Sequence, residues 1–157
     1  MIELFLPDPA ATDALGQALA RTRPARAVVH LHGDLGAGKS SLARAMLRAL
    51  GVQGSIRSPT YTLVERYALG DGEALHLDLY RIGDAGELEY LGLDAADARL
   101  WLVEWPGRGG AFLPSADLEV HLSIEGDGRR CRLEPAGTAG AAWVARATGH
   151  QGVAALR

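Results

Sequence analysis

The sequence predicts an α/β fold in which a mixed, mostly parallel central sheet is flanked by helices and carries antiparallel hairpins. Three observations support this prediction. The segments follow the order strand, helix, strand, loop, helix, and then mostly strands. A glycine-rich loop at 33–41 joins the second strand to the second helix. The length of 157 residues and the hydrophobic content of 48% suit one core, so we predict a single domain over residues 1–157.

Local signals predict each element in turn. Asp8 followed by Pro9 is typical of a helix N-cap and first turn. AVVHL at 27–31 is a short apolar run, which is typical of a buried central strand. Gly72 and the Gly-Asp-Gly turn at 126–128 each separate two strand-like runs, which predicts two antiparallel hairpins. The predicted strands are 2–6, 27–31, 61–67, 74–80, 99–105 and the two arms of 117–135; the predicted helices are 9–22, 40–50 with Gly51 as C-cap, 86–93 and 139–147, after which the chain is expected to fray.

The charge and the cysteine content limit the classes of function. A net charge of −3 argues against a protein that grips nucleic acid through a basic face. Arg129, Arg130 and Arg132 cluster on a predicted hairpin, and we interpret them as a solvated strand face. Cys131 is the only cysteine, which excludes an internal disulfide and favours a reducing cytoplasm. We expect no signal peptide and no membrane span, because the N-terminus lacks a basic region and no run of about 18 apolar residues occurs.

The stretch HGDLGAGKSS carries the most specific functional motif. Its pattern G-x-x-x-x-G-K-[ST] lies between an apolar strand and an amphipathic helix, which is the context that a phosphate-binding P-loop requires. Its glycines allow backbone N–H groups to point at a phosphate, and the following helix adds its positive end. The motif therefore predicts a P-loop NTPase fold. The nucleotide-binding residues predicted in this loop are Gly33, Leu35, Gly36, Ala37, Gly38, Lys39, Ser40 and Ser41.

Lys39 is the only lysine in the chain, while arginine supplies every other basic residue. Its compact ammonium can reach the β- and γ-phosphates inside a narrow loop, where the larger planar fork of arginine would fit poorly. The hydroxyl of Ser40 can ligate Mg²⁺. A guanine-reading Asn/Thr-Lys-x-Asp motif needs a second lysine, which this chain does not have. We therefore predict ATP/ADP, together with Mg²⁺, as the cofactors.

Two carboxylates lie in strands with apolar neighbours. In ALHLDLY, Asp78 shares a face with His76 and Tyr80, opposite the leucines. Glu104 lies near the end of RLWLVEW, where open α/β sheets place their ligands. Phosphoryl transfer needs a carboxylate near Mg²⁺ and a group that positions the attacking water. For both residues a water-exposed carboxylate at a strand edge is the alternative interpretation.

Further polar and aromatic side chains leave alternatives open. Ser58, Thr60 and Thr62 follow the P-loop helix, where either a nucleotide-sensing segment or a polar turn fits. We interpret three of the five histidines and two of the three tryptophans as structural residues; they are His30, His32, His76, Trp101 and Trp143.

Five segments in order resemble the bacterial TsaE (YjeE) family, the ATPase component of tRNA threonylcarbamoyladenosine biosynthesis. The segments are GDLGAGKSS, SPTYTLVE, HLDLYRI, ELEYLGL and LVEWPGRG, and the resemblance covers about residues 6–125. It implies a small P-loop ATPase that works with TsaD and TsaB on ANN-decoding tRNAs and contacts the tRNA through that complex. The family more often has Thr-Thr after the P-loop lysine, where this chain has two serines.

The resemblance also implies roles for particular residues. Ser40 and Glu104 are implied to bind Mg²⁺, and Asp78 is implied to be needed for hydrolysis together with the P-loop lysine. Thr60 is implied to belong to a switch loop near the γ-phosphate. Trp105 is implied to lie close to the nucleotide, and Thr12 close to its base.

Two other functions fit the motifs. A small-molecule kinase would use Asp78 as a base towards an acceptor hydroxyl, but such kinases usually have an arginine-rich lid, for which only Arg66, Arg81 and Arg108 are candidates. A binding module would use ATP only to order a partner surface.

Overall fold

The computed structural model describes residues 1–93 and 97–157. Seven strands form one sheet in the order β1-β7-β6-β2-β5-β4-β3. The strands are β1 Ile2–Leu6, β2 Ala27–His32, β3 Val64–Leu69, β4 Gly72–Asp78, β5 Ala98–Glu104, β6 Leu118–Glu125 and β7 Gly128–Pro135. The helices are α1 Pro9–Thr22, α2 Lys39–Ala49, α3 Gly137–Thr148 and α4 Gln151–Ala154.

The centre of the sheet is parallel and its two sides are antiparallel. Strands β6, β2, β5 and β4 run parallel to one another. The hairpin partner of β4 is β3, and the hairpin partner of β6 is β7, which also pairs with β1. This arrangement confirms the predicted fold class and brings the ends of β2, β4 and β5 together at one edge of the sheet.

All four α-helices pack on the same face of the sheet. Leu15 and Leu19 of α1 and Met46 of α2 are fully buried there against the apolar side chains of the central strands. Asp8 caps α1, since its Oδ1 accepts a hydrogen bond from the backbone N–H of Ala11 at 2.9 Å. The predicted start of this helix is therefore confirmed, and its packing fixes the orientation of the neighbouring helix α2.

The opposite face is covered in part by short 3₁₀ segments. Residues Ala85–Leu91, Pro106–Arg108 and Gly110–Phe112 form these segments. A second, smaller core lies beneath them and includes Leu77 and Val103. Over β2, β6 and β7 this face carries half-buried histidines and charged side chains instead.

Several predicted boundaries shift by one or two residues, as in β4 and α3, and three predictions of local structure differ more. The strand predicted at 61–67 begins only at Val64, because Leu63 adopts a positive φ of 67°. The helix predicted at 86–93 is a 3₁₀ segment with an Asp84 capping box. The chain end does not fray: α4 buries Val153, and the carbonyl of Leu156 accepts the N–H of Phe5 at 2.9 Å. Within the described residues, no helix combines the length and the apolar character needed to cross a membrane.

Candidate functional site

The loop between β2 and α2 has the backbone of an anion cradle. Gly33, Gly36 and Gly38 have φ values of 147°, 83° and 105°, which residues with a Cβ rarely adopt. A Cβ at Gly33 would also lie 2.5 Å from the carbonyl oxygen of Leu122. Gly38 provides no side-chain cap for α2, so the first N–H groups of this eleven-residue helix are available to an anion.

Lys39 lies inside this loop and is only 5% exposed. Its Nζ donates hydrogen bonds to the carbonyl oxygens of Gly33 and Asp34, the latter at 3.2 Å. Burial lowers the pKa of Lys39 below its ordinary value, while the carboxylates of Glu104 and Asp78 raise it. The ammonium is thus held by neutral carbonyls, and a phosphate would be a stronger acceptor for it.

Ser40 and Glu104 meet at the edge of the sheet. The Ser40 hydroxyl donates to Glu104 Oε2 at 2.8 Å, and Nε2 of His76 lies 2.7 Å from the same oxygen. Asp78 is the register partner of Glu104 on the adjacent parallel strand, so both carboxylates lie on the α2 side of the sheet. His76, Asp78 and Glu104 are all buried, which rules out the interpretation of these carboxylates as water-exposed strand-edge groups.

The SPTY segment reaches the same carboxylates. The Thr60 hydroxyl donates to Asp78 Oδ2 at 3.4 Å and lies 2.8 Å from the hydroxyl of Ser58. The other oxygen of Asp78 accepts the backbone N–H of Tyr80 at 3.0 Å. Thr62 points elsewhere, because it bonds to Glu65. Ser58 and Thr60, but not Thr62, therefore belong to the site.

Trp105 forms the floor beneath the lysine. It follows the last residue of β5 and has a positive φ of 56°, a strained conformation for an aromatic residue. The Nζ of Lys39 lies 4.4 Å from its ring centroid, and the ring of Tyr80 lies 5.0 Å away. The guanidinium of Arg108 stands 5.8 Å from the centroid of Trp105. This arrangement places two cations and two aromatic rings beside the P-loop.

A cavity of about 600 Å³ continues from the P-loop between α1 and α2. Thr12, Gly38, Ser41 and Arg129 are among its lining residues, so Thr12 and part of the loop face the same space. Of the remaining loop positions, Ala37 is buried and Leu35 is 64% exposed at the tip. Their side chains do not line this cavity, which leaves their backbone as the part that can contact a ligand.

Two residues of this region were missed by sequence reasoning. Arg129 was interpreted as part of a solvated strand face, yet its Nη2 donates to the carbonyl oxygen of Gly36 at 3.2 Å and it lines the cavity. The side chain of Arg129 lies on the same face of β7 as that of buried Cys131, whereas Arg130 and Arg132 point to the other face. The alternation of side chains along the strand could therefore have separated Arg129 from the other two arginines. His76 was interpreted as structural, although it shares a face with Asp78.

The other structural interpretations agree with the geometry. Trp143 is fully buried and its Nε1–H donates to the carbonyl of Leu19 at 3.0 Å, and Trp101 packs against the second core. His30 and His32 lie on the face opposite α2. The rings of His32 and His121 stack there with centroids 4.5 Å apart.

The oxygen atoms of Ser40 and Glu104 suit Mg²⁺. No group of three or more His, Cys, Asp or Glu side chains within residues 1–93 and 97–157 is arranged to hold a metal alone. This agrees with the chemistry of Mg²⁺, which keeps several waters and is commonly held by one or two protein oxygens together with substrate phosphates. The residues present therefore fit this ion.

The parallel centre of the sheet, the helix α2 without a side-chain cap and the buried lysine define the class of protein as one with a P-loop NTPase fold. The family model "Threonylcarbamoyl adenosine biosynthesis protein TsaE" matches residues 6–132. The chain belongs to the TsaE family.

Similar proteins agree with this assignment. The tRNA threonylcarbamoyladenosine biosynthesis protein TsaE of Haemophilus influenzae is 44% identical over 108 residues, covering 68% of each chain. The protein with the same name from Synechocystis is 46% identical over 113 residues, covering 68% of this chain and 71% of its own. The crystal structure of YdiB from Bacillus subtilis shares the fold, with a TM-score of 0.79, 24% identity and 95% of both chains covered.

Proposed function

We propose that this chain is a P-loop ATPase that binds Mg-ATP at loop 33–41 and hydrolyses it in complex with TsaD and TsaB. In this proposal the cycle serves threonylcarbamoylation of the adenosine beside the anticodon of ANN-decoding tRNAs in the cytoplasm. The observation that carries it is the convergence of Lys39, Ser40, Asp78 and Glu104 at one edge of the sheet. Membership of the TsaE family supports the biosynthetic role.

The phosphates are held by the loop and by the start of α2. Backbone N–H groups of 36–41 and the positive end of α2 attract the phosphate oxygens, and Lys39 exchanges its carbonyl partners for the β- and γ-phosphates. Ser40 and Glu104 would hold Mg²⁺, which neutralises charge on the phosphates when it is bound. The cavity with Thr12, Ser41 and Arg129 offers the space next to the phosphates for the nucleoside.

In this proposal Asp78 orients the attacking water. It is buried beside Glu104, and Thr60 and the N–H of Tyr80 fix its two oxygens. A carboxylate held in this way accepts a hydrogen bond from water and keeps the oxygen of that water in line with the phosphorus. Thr60 would couple this step to the SPTY segment, because it donates directly to Asp78.

The nucleotide is ATP rather than GTP in this proposal, because the chain has no second lysine and no asparagine for a guanine-reading motif. The net charge of −3 suits a subunit that contacts tRNA through its partners.

The test is ATP turnover with and without TsaD, TsaB and tRNA. The Lys39→Ala, Asp78→Asn and Glu104→Gln variants are compared with Arg26→Ala, which changes an exposed arginine. We expect Lys39→Ala to weaken Mg-ATP binding and lower turnover by about 100-fold or more, and Arg26→Ala to match the wild type. Unchanged affinity and turnover in Lys39→Ala would contradict the proposal. Phosphate found on a metabolite instead of in water would indicate a kinase.

A further inference from the structure

We propose that His76 is a positioning residue that holds the carboxylate of Glu104 in the orientation needed to bind the metal. The inference rests on the proposed function, because it assigns a role at the same Mg-nucleotide site. It concerns a residue of β4 that does not line the cavity next to the P-loop.

The geometry around Glu104 is asymmetric. Oε2 receives both the Ser40 hydroxyl at 2.8 Å and the imidazole Nε2 at 2.7 Å. Oε1 has no hydrogen-bond donor among the residues that the structure describes. Two donors on one oxygen fix the rotation of the carboxylate and leave the other oxygen for a ligand or its water.

His76 has no other polar role that the structure describes. The side chain is 2% exposed, and Nδ1 is buried without a hydrogen-bond partner. The single bond to Glu104 therefore identifies the tautomer with a proton on Nε2, since Nε2 must donate to a carboxylate oxygen. A buried polar ring in a strand of leucines costs free energy unless its one hydrogen bond is formed.

The strand register explains how His76 reaches the carboxylate of Glu104. β4 and β5 are parallel, with Asp78 opposite Glu104 and His76 opposite Leu102. His76 is thus diagonal to Glu104 on the α2 side of the sheet, and a long ring is needed to span the distance. Asp78 then remains free to interact with Thr60.

The experiment measures Mn²⁺ binding to the ADP-loaded protein by electron paramagnetic resonance, with Mn²⁺ as the probe for Mg²⁺. His76→Gln places an amide nitrogen close to the position of Nε2, whereas the shorter His76→Asn places it near Nδ1, out of reach of Glu104. We expect His76→Asn to weaken Mn²⁺ binding by about 10- to 100-fold, the usual cost of losing an outer-shell partner. We expect His76→Gln to bind Mn²⁺ like the wild type.

Two controls separate the possible failures. ADP affinity in EDTA stays at the wild-type value in both variants, because the donor acts only through Glu104. His30→Asn changes a half-buried histidine on the other face of the sheet and leaves Mn²⁺ binding unchanged. If the wild type shows no ADP-dependent Mn²⁺ site, the proposed function itself is wrong. If the wild type has this site, two results would contradict the positioning role. One is that His76→Asn binds Mn²⁺ as well as the wild type, and the other is that His76→Gln binds Mn²⁺ as weakly as His76→Asn.

A second measurement needs no loss-of-function variant. Nitrogen-15 NMR of the wild-type histidines, assigned with His76→Gln, reports which ring nitrogen carries the proton. We expect the proton of His76 on Nε2 and a bare Nδ1. A proton on Nδ1 with a bare Nε2 would overturn the inference, because this tautomer cannot donate to Glu104.

Discussion

Within residues 1–93 and 97–157, three histidine–carboxylate pairs lie on the sheet, and they differ mainly in burial. His76 and Glu104 are 2.7 Å apart and their side chains are 2% and 4% exposed. His32 with Glu119 and His121 with Glu134 are each 3.0 Å apart, with side chains that are 31–46% exposed. The first pair lies on the α2 side beside the P-loop, and the other two lie on the opposite face. Similar contacts therefore have different consequences, because water can replace a partner only at the surface pairs.

The largest contrast is expected in nucleotide chemistry. Glu104→Gln removes a charged oxygen beside Ser40. We expect Mg-dependent ATP turnover to fall by more than roughly 100-fold, which is the upper cost of losing a residue that only supports a metal ligand. Glu119→Gln makes the same chemical change in a half-exposed pair and leaves turnover at the wild-type value. Steady-state ATPase assays with both variants make the comparison. Equal losses in the two variants would contradict the distinction between the two faces.

A smaller contrast is expected in stability. His76→Ala removes the more deeply buried of the two donors to Glu104 Oε2 and lowers the free energy of unfolding by about 1–3 kcal/mol. His121→Ala breaks a surface pair and lowers it by less than about 1 kcal/mol. Urea denaturation of the two variants measures both values. If His121→Ala proves the more destabilising, burial does not decide the energetics of these pairs.

Acidification is expected to lower the stability of the fold through His30, which lies on the face of the sheet opposite α2. Burial lowers the pKa of His30 below its ordinary value of 6.5, although the Glu119 carboxylate and the Pro114 backbone raise it. The unfolded chain therefore takes up this proton at a higher pH than the folded chain, so the free energy of unfolding decreases as pH falls below about 6.5. His30→Gln removes this contribution. Urea denaturation at about pH 7.5 and about pH 5.5 should show a smaller decrease in the variant than in the wild type.

The smallest effect concerns the thiol inside the helix-side core. Cys131 is fully buried, and burial raises its pKa from 9.0 to about 12. The thiolate is the reactive form, so the folded protein should not react with Ellman's reagent at about pH 8, while the urea-unfolded chain should react with one equivalent. Rapid reaction of the folded protein would show that the edge formed by β1 and β7 opens readily.

Sequence reasoning was most successful where a local pattern has one structural solution. The Asp8-Pro9 cap, the apolar strand at 27–31 and the glycine-rich loop each appear as predicted, because backbone restrictions and burial act within a few residues. The proximity of Asp78 and Glu104 was suggested by strand positions, and it follows in the structure from the parallel pairing of β4 with β5.

Long-range geometry explains what the sequence did not show. The contact of Arg129 with Gly36 depends on β7 running antiparallel to β6, which lies next to β2. The role of His76 depends on the register between β4 and β5, which brings His76 to Glu104 across 28 positions of sequence. The positive φ of Leu63 shortened a strand whose composition favoured an earlier start. Nothing within a short window of sequence encodes these relations.

The central claim is that ATP hydrolysis at the edge of this sheet serves tRNA modification. It is tested most directly by measuring threonylcarbamoyladenosine formed on an ANN-decoding tRNA by TsaD and TsaB with either the wild-type chain or its Asp78→Asn variant. Asp78→Asn keeps the P-loop, Ser40 and Glu104, so nucleotide binding and complex formation should persist. We expect repeated rounds of modification with the wild type and loss of them with the variant. Full modification by an Asp78→Asn chain that no longer hydrolyses ATP would contradict the claim.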